Sequence, residues 1–471
     1  MVWRATTSDR RRNPRSVDIG RRDWIAPEEG LGPRIPRVSG PGQRRIGATG
    51  LQCDEVGERV TYAGTDDAPS QTGRAEWQPH RVLSDVDRPT MPVAKFHTPE
   101  IIVGAGSLNE IPTAAAGLGM RRPLVVSDRN LVATPWYPQL TQRLRAAGLH
   151  VASFTDVSPN PRAGEISLGL AHFQDIRADG IVALGGGSVI DAAKGVAILA
   201  ANGGHILSYE GIDRARIPLP PLVAAPTTAG SGSDVSQFCI VNDADRMTKV
   251  TIIGRGLVPN VSVIDPQLLA TLPPEVAAQS GMDAITHCIE AYASLAHTRL
   301  TDRYALSAIG TAWRSIEQFV ETPGDRDAGL EMAYASLEAG MAFTNAILGA
   351  THAMSHPVGG LCDGAHGAIN SVLLPHVIRF NAELDPVPYC ELARATGVAV
   401  SSSAHRTAER FADAVDGLSR RVGMAGGLAQ LGVHADDIDS LTKNALADAC
   451  MKTNPRQPTA AEVASIYREA L

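Results

Sequence analysis

The stretch GIVALGGGSVIDAAKGVAILAANG, residues 180–203, decides the fold class of this chain. Its first residues form the short apolar run that a fully buried parallel strand requires. Gly185 to Gly187 follow, and a helical period begins at about Ser188. Glycines let a backbone approach a pyrophosphate closely, and a helix N-terminus offers free N–H groups and a positive dipole end. The stretch predicts a strand, a turn and a helix that suit a phosphate, although many glycine-rich turns bind none.

The alternation of strand and helix extends on both sides of this stretch. RPLVVSD at 122–128, VASFTDV at 151–157 and PLVAAPTTAGSGSD at 221–234 are further apolar runs, and helical periods occupy 137–150 and 165–180. This order predicts a mostly parallel sheet with helices on both faces. After roughly Pro273 the strand signals vanish and helical periods run to the C-terminus. We expect a Rossmann-like α/β domain at 91–272 and an all-helical domain at 273–471.

The composition fits a globular protein and excludes several partners. The 471 residues are 44% hydrophobic and 20% charged, which leaves room for two domains. Lys and Arg number 43 against 50 Asp and Glu, a net charge of −7, so a nucleic-acid partner is not expected. The six cysteines contain no CxxC pair, which favours a reducing, cytoplasmic compartment. No unbroken apolar run reaches membrane-spanning length, so no membrane span is expected.

Residues 1–90 differ from the rest of the chain. They are rich in Arg, Pro, Gly and Asp, contain no Lys and show no sustained period. They lack the apolar segment of a secretory signal, and their acidic residues argue against a transit peptide. We expect a disordered or non-native extension, with the working protein beginning at Met91.

Two more loops with polar residues follow predicted strands. Thr227, Thr228 and Ser231 come after the strand at 221–226, and Asp128 ends the run at 122–128. Ligands of open α/β sheets bind in the crevice outside the carboxyl ends of the strands, so these loops predict one nucleotide site. Asp128 is placed to accept hydrogen bonds from a ribose diol, and an ordinary loop aspartate is an equally good interpretation.

Histidines are concentrated in THAMSHPVGGLCDGAHG, residues 351–367. His352 and His356 are four residues apart and share one face of a helix. Asp283 and His287 repeat that spacing, and His366 follows ten residues after His356. A single pair of this kind is usually surface or satisfied core, but one carboxylate and several imidazoles together predict a site for Fe(II) or Zn(II). We expect Pro357 and the nearby glycines to turn the chain between helices and return His366 to the site.

Six segments occur together in a specific order and spacing: GGGSVIDAAKG, PTTAGSGSDVS, GMDAITHCIEAY, HAMSHPVGG, GAHGAINSVLLPHVIRFN and NPRQPTAAEVASIY. Because of these six segments, residues 91–471 resemble the iron-containing (group III) alcohol dehydrogenases, close in pattern to lactaldehyde reductases and propanediol dehydrogenases. The resemblance implies the iron-type alcohol dehydrogenase fold, which is similar to that of dehydroquinate synthase. It also implies hydride transfer between a small alcohol or aldehyde and NAD in an interdomain cleft, in a homodimer or higher homo-oligomer.

The resemblance also implies roles for individual residues. It implies four ligands for Fe(II), alternatively Zn(II): Asp283, His287, His352 and His366. It implies that His356 is a catalytic histidine near the nicotinamide, and not a ligand. It implies a cofactor site formed by Asp128, Asn160, Gly186, Gly187, Ser188, Asp191, Thr227, Thr228, Ser231 and Lys249. Phe343 and Cys450 match positions that line the substrate pocket.

One loop departs from the family pattern and several alternatives stay open. The family often has TAGTGSE where this chain has Ser231 and Asp234, but both changes keep the chemical type, so binding should survive. Relatives similar to dehydroquinate synthase, glycerol dehydrogenase or maleylacetate reductase are disfavoured by the Asp-His-His-His set. A nicotinoprotein with permanently bound NAD and an external electron acceptor is one functional alternative. A catalytically silent NAD-binding scaffold is the other.

Overall fold

The computed structural model describes residues 95–424 and 426–471 of the chain. The expected extension at residues 1–90 and the expected start at Met91 lie outside the described residues. Within the described residues, no helix is long and apolar enough to cross a membrane.

The strands of the described region form two sheets. They are β1 (Glu100–Val103), β2 (Pro123–Val126), β3 (Ala152–Phe154), β4 (Gly180–Gly185), β5 (Gly211–Ile212), β6 (Leu222–Pro226), β7 (Phe238–Asp243), β8 (Thr248–Ile253) and β9 (Val261–Ile264). The larger sheet has the order β1-β9-β6-β4-β2-β3, and all its neighbours are parallel. The predicted parallel sheet is therefore confirmed.

Helices cover this sheet and then make up the rest of the chain. In the described residues they are α1 (Ile111–Gly117), α2 (Arg129–Val132), α3 (Trp136–Ala146), α4 (Ala163–Asp175), α5 (Gly187–Asn202), α6 (Pro274–Ala293), α7 (Arg299–Glu321), α8 (Arg326–Ala346), α9 (Ala350–Cys362), α10 (His366–Ala382), α11 (Val387–Thr396), α12 (Ala404–Arg421), α13 (Ile438–Ala447) and α14 (Ala460–Glu469). Every strand described precedes α6, as the loss of strand signals after Pro273 predicts. The division into domains at 91–272 and 273–471 stays a prediction.

The central strand β4 explains why its sequence is a continuous apolar run. All its residues are buried, and successive side chains point to opposite faces of the sheet. Ile181 and Ala183 pack in a cluster with α4 and α5. Val182 and Leu184 pack in a second cluster with α1 and α3. A strand covered on both faces has no polar side, so alternation disappears and only the apolar run is left.

The smaller sheet was not predicted. Its strands β7 and β8 form an antiparallel hairpin, and β5 adds to β8 in parallel. The buried Lys194 of α5 fastens this hairpin, because its Nζ donates to the carbonyl oxygens of Ser236, at 2.9 Å, and Phe238, at 2.6 Å. The hairpin is thereby held beside the first turns of α5.

Pro357 and two of the glycines do not turn the chain, and that expectation is wrong. Pro357, Gly359 and Gly360 lie inside α9, and the turn occupies residues 363–365. A Cβ atom on Gly360 would lie 2.3 Å from Thr248 Cα, so this glycine permits close packing of α9 against β8. The turn itself uses Asp363, whose φ of 50° lies in the left-handed region.

Candidate active site

A cavity of about 210 Å³ separates the carboxyl edge of the large sheet from the helical region. Its wall from the α/β part includes six residues predicted for the cofactor: Asn160, Gly187, Ser188, Asp191, Ser231 and Lys249. Its wall from the helical part includes the residues predicted for metal, catalysis and substrate: Asp283, His287, His352, His356, His366, Phe343 and Cys450. Four predicted cofactor residues do not line this cavity: Asp128, Gly186, Thr227 and Thr228.

Three predicted histidine ligands surround one carboxylate oxygen. The Nε2 atoms of His287, His352 and His366 each lie 3.9 Å from Asp283 Oδ1. Two ligands that each bind one ion at about 2.1 Å can be no more than about 4.2 Å apart. The spacing therefore lets each histidine share one ion with Asp283. The four side chains come from α6, α9 and α10, so the candidate site joins three helices.

Hydrogen bonds at Nδ1 determine where each Nε2 points. His287 Nδ1 lies 3.1 Å from the carbonyl oxygen of Gly230, and His352 Nδ1 lies 2.6 Å from Glu290 Oε2. Because a carbonyl and a carboxylate can only accept, both Nδ1 atoms carry hydrogen and both Nε2 atoms keep a free lone pair. His366 Nδ1 lies 3.4 Å from the hydroxyl of Ser355.

The donor set fits a divalent metal. Burial lowers the pKa of His287 to about 4, and burial also lowers the pKa of His366 well below its ordinary value. Both rings are therefore neutral near pH 7, which is the form that binds metal. Three imidazoles with one carboxylate suit Fe(II) and Zn(II). These residues fit the ion that the sequence predicts.

Glu290 is a buried carboxylate behind the predicted ligand His352. Besides His352 Nδ1, it accepts the N–H of Thr351 at 2.6 Å. Burial would raise the pKa of Glu290, but the contacts with His352 and with backbone N–H groups outweigh it and lower the pKa. An ionised carboxylate behind a histidine ligand fixes its tautomer and its orientation. Glu290 lies three residues after His287 on α6, so helical spacing was the signal that could have found it.

His356 has an equivalent partner that no local pattern reveals. Its Nδ1 lies 2.8 Å from Asp448 Oδ2, and both side chains are nearly fully buried. Burial would raise the pKa of Asp448, but His356 and the N–H of Cys450 lower it. His356 therefore presents Nε2 to the cavity. Asp448 precedes the short helix Ala449–Thr453, far from α9 along the chain.

Asn370 is a further buried polar residue at the predicted metal site. Its Nδ2 lies 2.8 Å from Asp283 Oδ1 and 3.2 Å from His352 Nε2. Its Oδ1 is buried without a hydrogen-bond partner. Asn370 lies four residues after His366 on α10, so the spacing that relates the other site pairs could have identified it.

Close backbone approach shapes the glycine-rich side of the cavity. A Cβ atom on Gly187 would lie 2.7 Å from Ser231 Cβ, and one on Gly186 would lie 3.1 Å from Thr228 Cγ2. The N–H of Thr227 donates to the carbonyl oxygen of Gly185 at 3.1 Å. The loops after β4 and β6 are therefore in contact. The N-terminus of α5 opens from this contact toward the cavity.

Asp128 lies at the end of β2, next to the loop after β4 in the sheet order. Its Oδ1 accepts the N–H groups of Asn130, at 2.8 Å, and Leu131, at 3.0 Å, and so caps α2. The neighbouring Arg129 pairs with Asp156 at 2.7 Å on the exposed surface. A contact between Asp128 and a ribose stays a prediction.

Two predicted cofactor residues are charged and buried. Asp191 accepts hydrogen bonds from the Ser233 hydroxyl and from the N–H of Ile240, so protein groups already occupy its carboxylate. Burial raises its pKa, and burial lowers the pKa of Lys249 to about 8. Lys249 therefore carries the positive charge on the cavity wall nearest the strands, although part of the population is neutral above pH 8.

A polar bridge crosses the edge of the cavity. Asn160 Nδ2 donates to Asp363 Oδ1 at 2.9 Å, and Arg162 Nη2 donates to Asp363 Oδ2 at 3.0 Å. Asn160 has a left-handed φ of 56°, and its N–H donates to the Ser188 hydroxyl at 3.3 Å. The turn before His366 is thus tied to the loop beside the glycine-rich turn.

Two family models match almost the whole described region. The model described as iron-containing alcohol dehydrogenase matches residues 98–266, and the model of the C-terminal region of the same family matches residues 277–471. The chain belongs to the iron-containing alcohol dehydrogenase family. The resemblance and the fold class predicted from the sequence are both confirmed.

Relatives of this iron-containing alcohol dehydrogenase are similar over most of their length. The NAD-dependent methanol dehydrogenase of Bacillus methanolicus is 36% identical over 80% of this chain and 99% of its own length. The 1,3-propanediol dehydrogenase of Klebsiella pneumoniae is 38% identical over 78% of this chain and 96% of its own length. A crystal structure of 1,3-propanediol oxidoreductase is 37% identical, with a TM-score of 0.78, over 81% of this chain and all of that chain. The chain is thus an alcohol and aldehyde oxidoreductase of a family that uses NAD and iron.

Proposed function

We propose that this protein interconverts a small alcohol and its aldehyde in the cavity between the sheet and the helices. The reaction converts RCH₂OH and NAD⁺ into RCHO, NADH and a proton. The observation that carries the proposal is the set of three Nε2 atoms, each 3.9 Å from Asp283 Oδ1, opposite a glycine-rich loop across one cavity.

The helical wall would hold the metal and position the substrate oxygen. Asp283, His287, His352 and His366 are the four ligands in this proposal. A bound Fe(II) or Zn(II) would supply Lewis acidity, and bound NAD would supply the hydride acceptor. The Gly230 carbonyl and the Glu290 carboxylate keep Nε2 of His287 and His352 free of protons.

The opposite wall would bind the dinucleotide. The first N–H groups of α5, at Gly187 and Ser188, bind the pyrophosphate because a helix N-terminus carries unpaired donors and a partial positive charge. The other predicted cofactor residues contact the remainder of the dinucleotide, with Asp128 at the adenosine ribose. The printed name of the Bacillus methanolicus relative, an NAD-dependent enzyme, supports NAD as the cofactor.

His356 would move the proton that the alcohol loses. Its Nδ1–H donates to Asp448, so its Nε2 is the ring nitrogen that can take a proton in the cavity. A histidine that is held in place by a hydrogen bond is the commonest group for moving a proton in enzymes. In the reverse direction the same nitrogen returns the proton to the product oxygen.

A turnover assay tests the proposal. The purified chain is loaded with Fe(II) or Zn(II), supplied with NAD and ethanol or 1-propanol, and followed by NADH absorbance. We expect NADH to form with at least one of the two metals. Its formation should stop when a chelator removes the metal. Oxidation that needs an artificial acceptor, with NAD retained through gel filtration, would indicate a nicotinoprotein. Absence of turnover with bound NAD would indicate a scaffold.

We also propose a reducing, cytoplasmic compartment and a homo-oligomeric state. The described cysteines are all free, which supports the compartment. The oligomeric state rests on the family resemblance alone. Light scattering on the purified chain gives its mass directly, and fractionation of the native cells locates it.

A further inference from the structure

We infer that the substrate is a short aliphatic alcohol with a single hydroxyl, and not a diol. This inference rests on the proposed function and specifies its substrate class. The observations that carry it are the apolar side chains that form the cavity wall beside the candidate metal site and the strand that separates this wall from the polar end of the cavity.

The wall beside the metal ligands is aromatic and aliphatic. Phe343 stacks on the His287 ring with centroids 4.2 Å apart, and Phe238 lies 5.8 Å from Phe343. Leu348 and Cys450 complete this part of the lining, and all four side chains are buried. We call Phe238, Phe343, Leu348 and Cys450 the apolar wall. A substrate carbon chain that extends from the metal site contacts this wall.

Strand β7 gives the cavity an apolar end and a polar end. Phe238, Ile240 and Asn242 alternate with buried core residues and all line the cavity, so they share one face of the strand. Phe238 lies against Phe343, whereas the N–H of Asn242 donates to the Pro161 carbonyl oxygen at 2.8 Å. Four residues of strand span about 13 Å. Asn242 therefore belongs to the nucleotide end, out of reach of a small molecule at the metal site.

Two serine side chains that line the cavity near the apolar wall form hydrogen bonds within the protein. Ser236 Oγ accepts hydrogen bonds from Lys194 Nζ and from the N–H of Phe238, each at 3.4 Å. The Ser233 hydroxyl donates to Asp191. A second hydroxyl on the substrate that lies against the apolar wall would lose its water, and the side chains of this wall would not replace it as hydrogen-bond partners. An apolar pocket rejects such a hydroxyl only moderately, by up to about a hundredfold in kcat/KM.

Matched alcohols test this inference in the wild-type enzyme. 1-Butanol and 1,3-propanediol have the same number of heavy atoms, as do 2-methyl-1-propanol and 1,2-propanediol, and each pair exchanges one methyl for one hydroxyl. We expect kcat/KM to favour the monoalcohol by about ten- to a hundredfold in both pairs. A diol that equals or exceeds its partner overturns the substrate class and leaves the proposed function intact. Failure to reduce NAD with all four alcohols overturns both.

A pair of substitutions at Phe238 tests the assignment of the wall. Asparagine and leucine have the same number of side-chain heavy atoms and the same branching at Cγ, but only asparagine adds hydrogen-bonding groups. We expect Phe238→Asn to shift the ratio of kcat/KM values toward the diol by about tenfold relative to Phe238→Leu. Equal ratios in the two variants, with metal content and folding like those of the wild type, would overturn the role of the apolar wall.

Discussion

The two walls of the cavity reach their geometry by different means. On the helical wall, side chains from α6, α9 and α10 meet around Asp283, and hydrogen bonds at Nδ1 orient the three rings. On the other wall, backbone turns after β4 and β6 approach each other because Gly187 has no Cβ atom. The helical wall therefore depends on the identity of side chains. The strand wall depends on the path of the backbone.

The largest effect should come from removing a ligand on the helical wall. His366→Ala and His287→Ala each leave three of four ligands, so the ion is held more weakly and turnover nearly disappears. Metal analysis and circular dichroism measure occupancy and fold. His376→Ala is the control. This histidine also lies on α10 but away from the site, where its Nδ1 is 3.8 Å from Glu469 Oε2. Normal occupancy and activity in both ligand variants would refute the assignment.

His356 separates catalysis from metal binding on the same helix. His356→Ala should lower kcat by roughly a hundredfold, which is ordinary for the loss of a positioned proton-transfer group. Its metal content should equal that of the wild type, because the Nε2 atoms of His287, His352 and His366 lie 3.9 Å from Asp283 Oδ1 whereas neither ring nitrogen of His356 lies within 4.0 Å of that carboxylate. Metal analysis beside steady-state kinetics decides. A metal-free variant would show that His356 and a neighbouring histidine have exchanged roles.

Glu290 should act on metal affinity through His352. In Glu290→Gln an amide can donate to Nδ1, which favours the tautomer with hydrogen on Nε2 and removes the lone pair from the site. Partners of histidine ligands typically contribute ten- to a hundredfold to metal affinity, so we expect a loss of about that size. Titration of the metal-free protein measures it.

The matched control for that experiment is Asp448→Asn, which makes the same change behind His356. It should slow turnover and leave the metal dissociation constant unchanged. Equal metal affinity in Glu290→Gln and the wild type would show that Glu290 only supports packing.

The smallest effect is expected beyond the strand wall, at Asp128, which does not line the cavity. The wild type should prefer NAD over NADP by roughly ten- to a thousandfold in kcat/KM, because a carboxylate repels the 2′-phosphate. Arg129, the cation nearest in sequence, is paired with Asp156. Asp128→Gly should reduce the preference for NAD over NADP by about tenfold, mainly because kcat/KM with NADP rises.

Asp128→Asn separates charge from helix capping, because asparagine caps a helix as well as aspartate does. Asp128→Asn should reduce the preference for NAD over NADP about as much as Asp128→Gly does, while α2 stays intact. Equal use of NAD and NADP by the wild type would contradict the predicted contact.

The helical wall could be anticipated because α-helical spacing is local. Asp283 with His287, and His352 with His356, follow directly from a period of 3.6 residues. The same rule reaches Glu290 and Asn370, which need only the further observation that they are buried. The sheet followed equally well, since its apolar runs and intervening helices permit few other arrangements.

The features of the fold and site that the sequence does not predict depend on contacts between distant parts of the chain. Asp448 meets His356 only after the last helices fold back on α9, and no spacing encodes that contact. The hairpin of β7 and β8 delivers Phe238 to the metal side of the cavity through a buried lysine on α5. Gly360 resembles a helix breaker in the sequence, yet its missing side chain serves packing against Thr248.

The bridge through Asp363 affects how a dinucleotide enters and leaves the cavity during catalysis. Arg162 and Asp363 are about half exposed, and pairs of that kind typically contribute about 0–1 kcal/mol. The two sides of the cavity edge are therefore fastened by an interaction of about the size of thermal energy. Such a fastening opens and closes many times without disturbing the buried core on either side. We therefore expect a dinucleotide to enter and leave through this edge while the four predicted metal ligands stay in place.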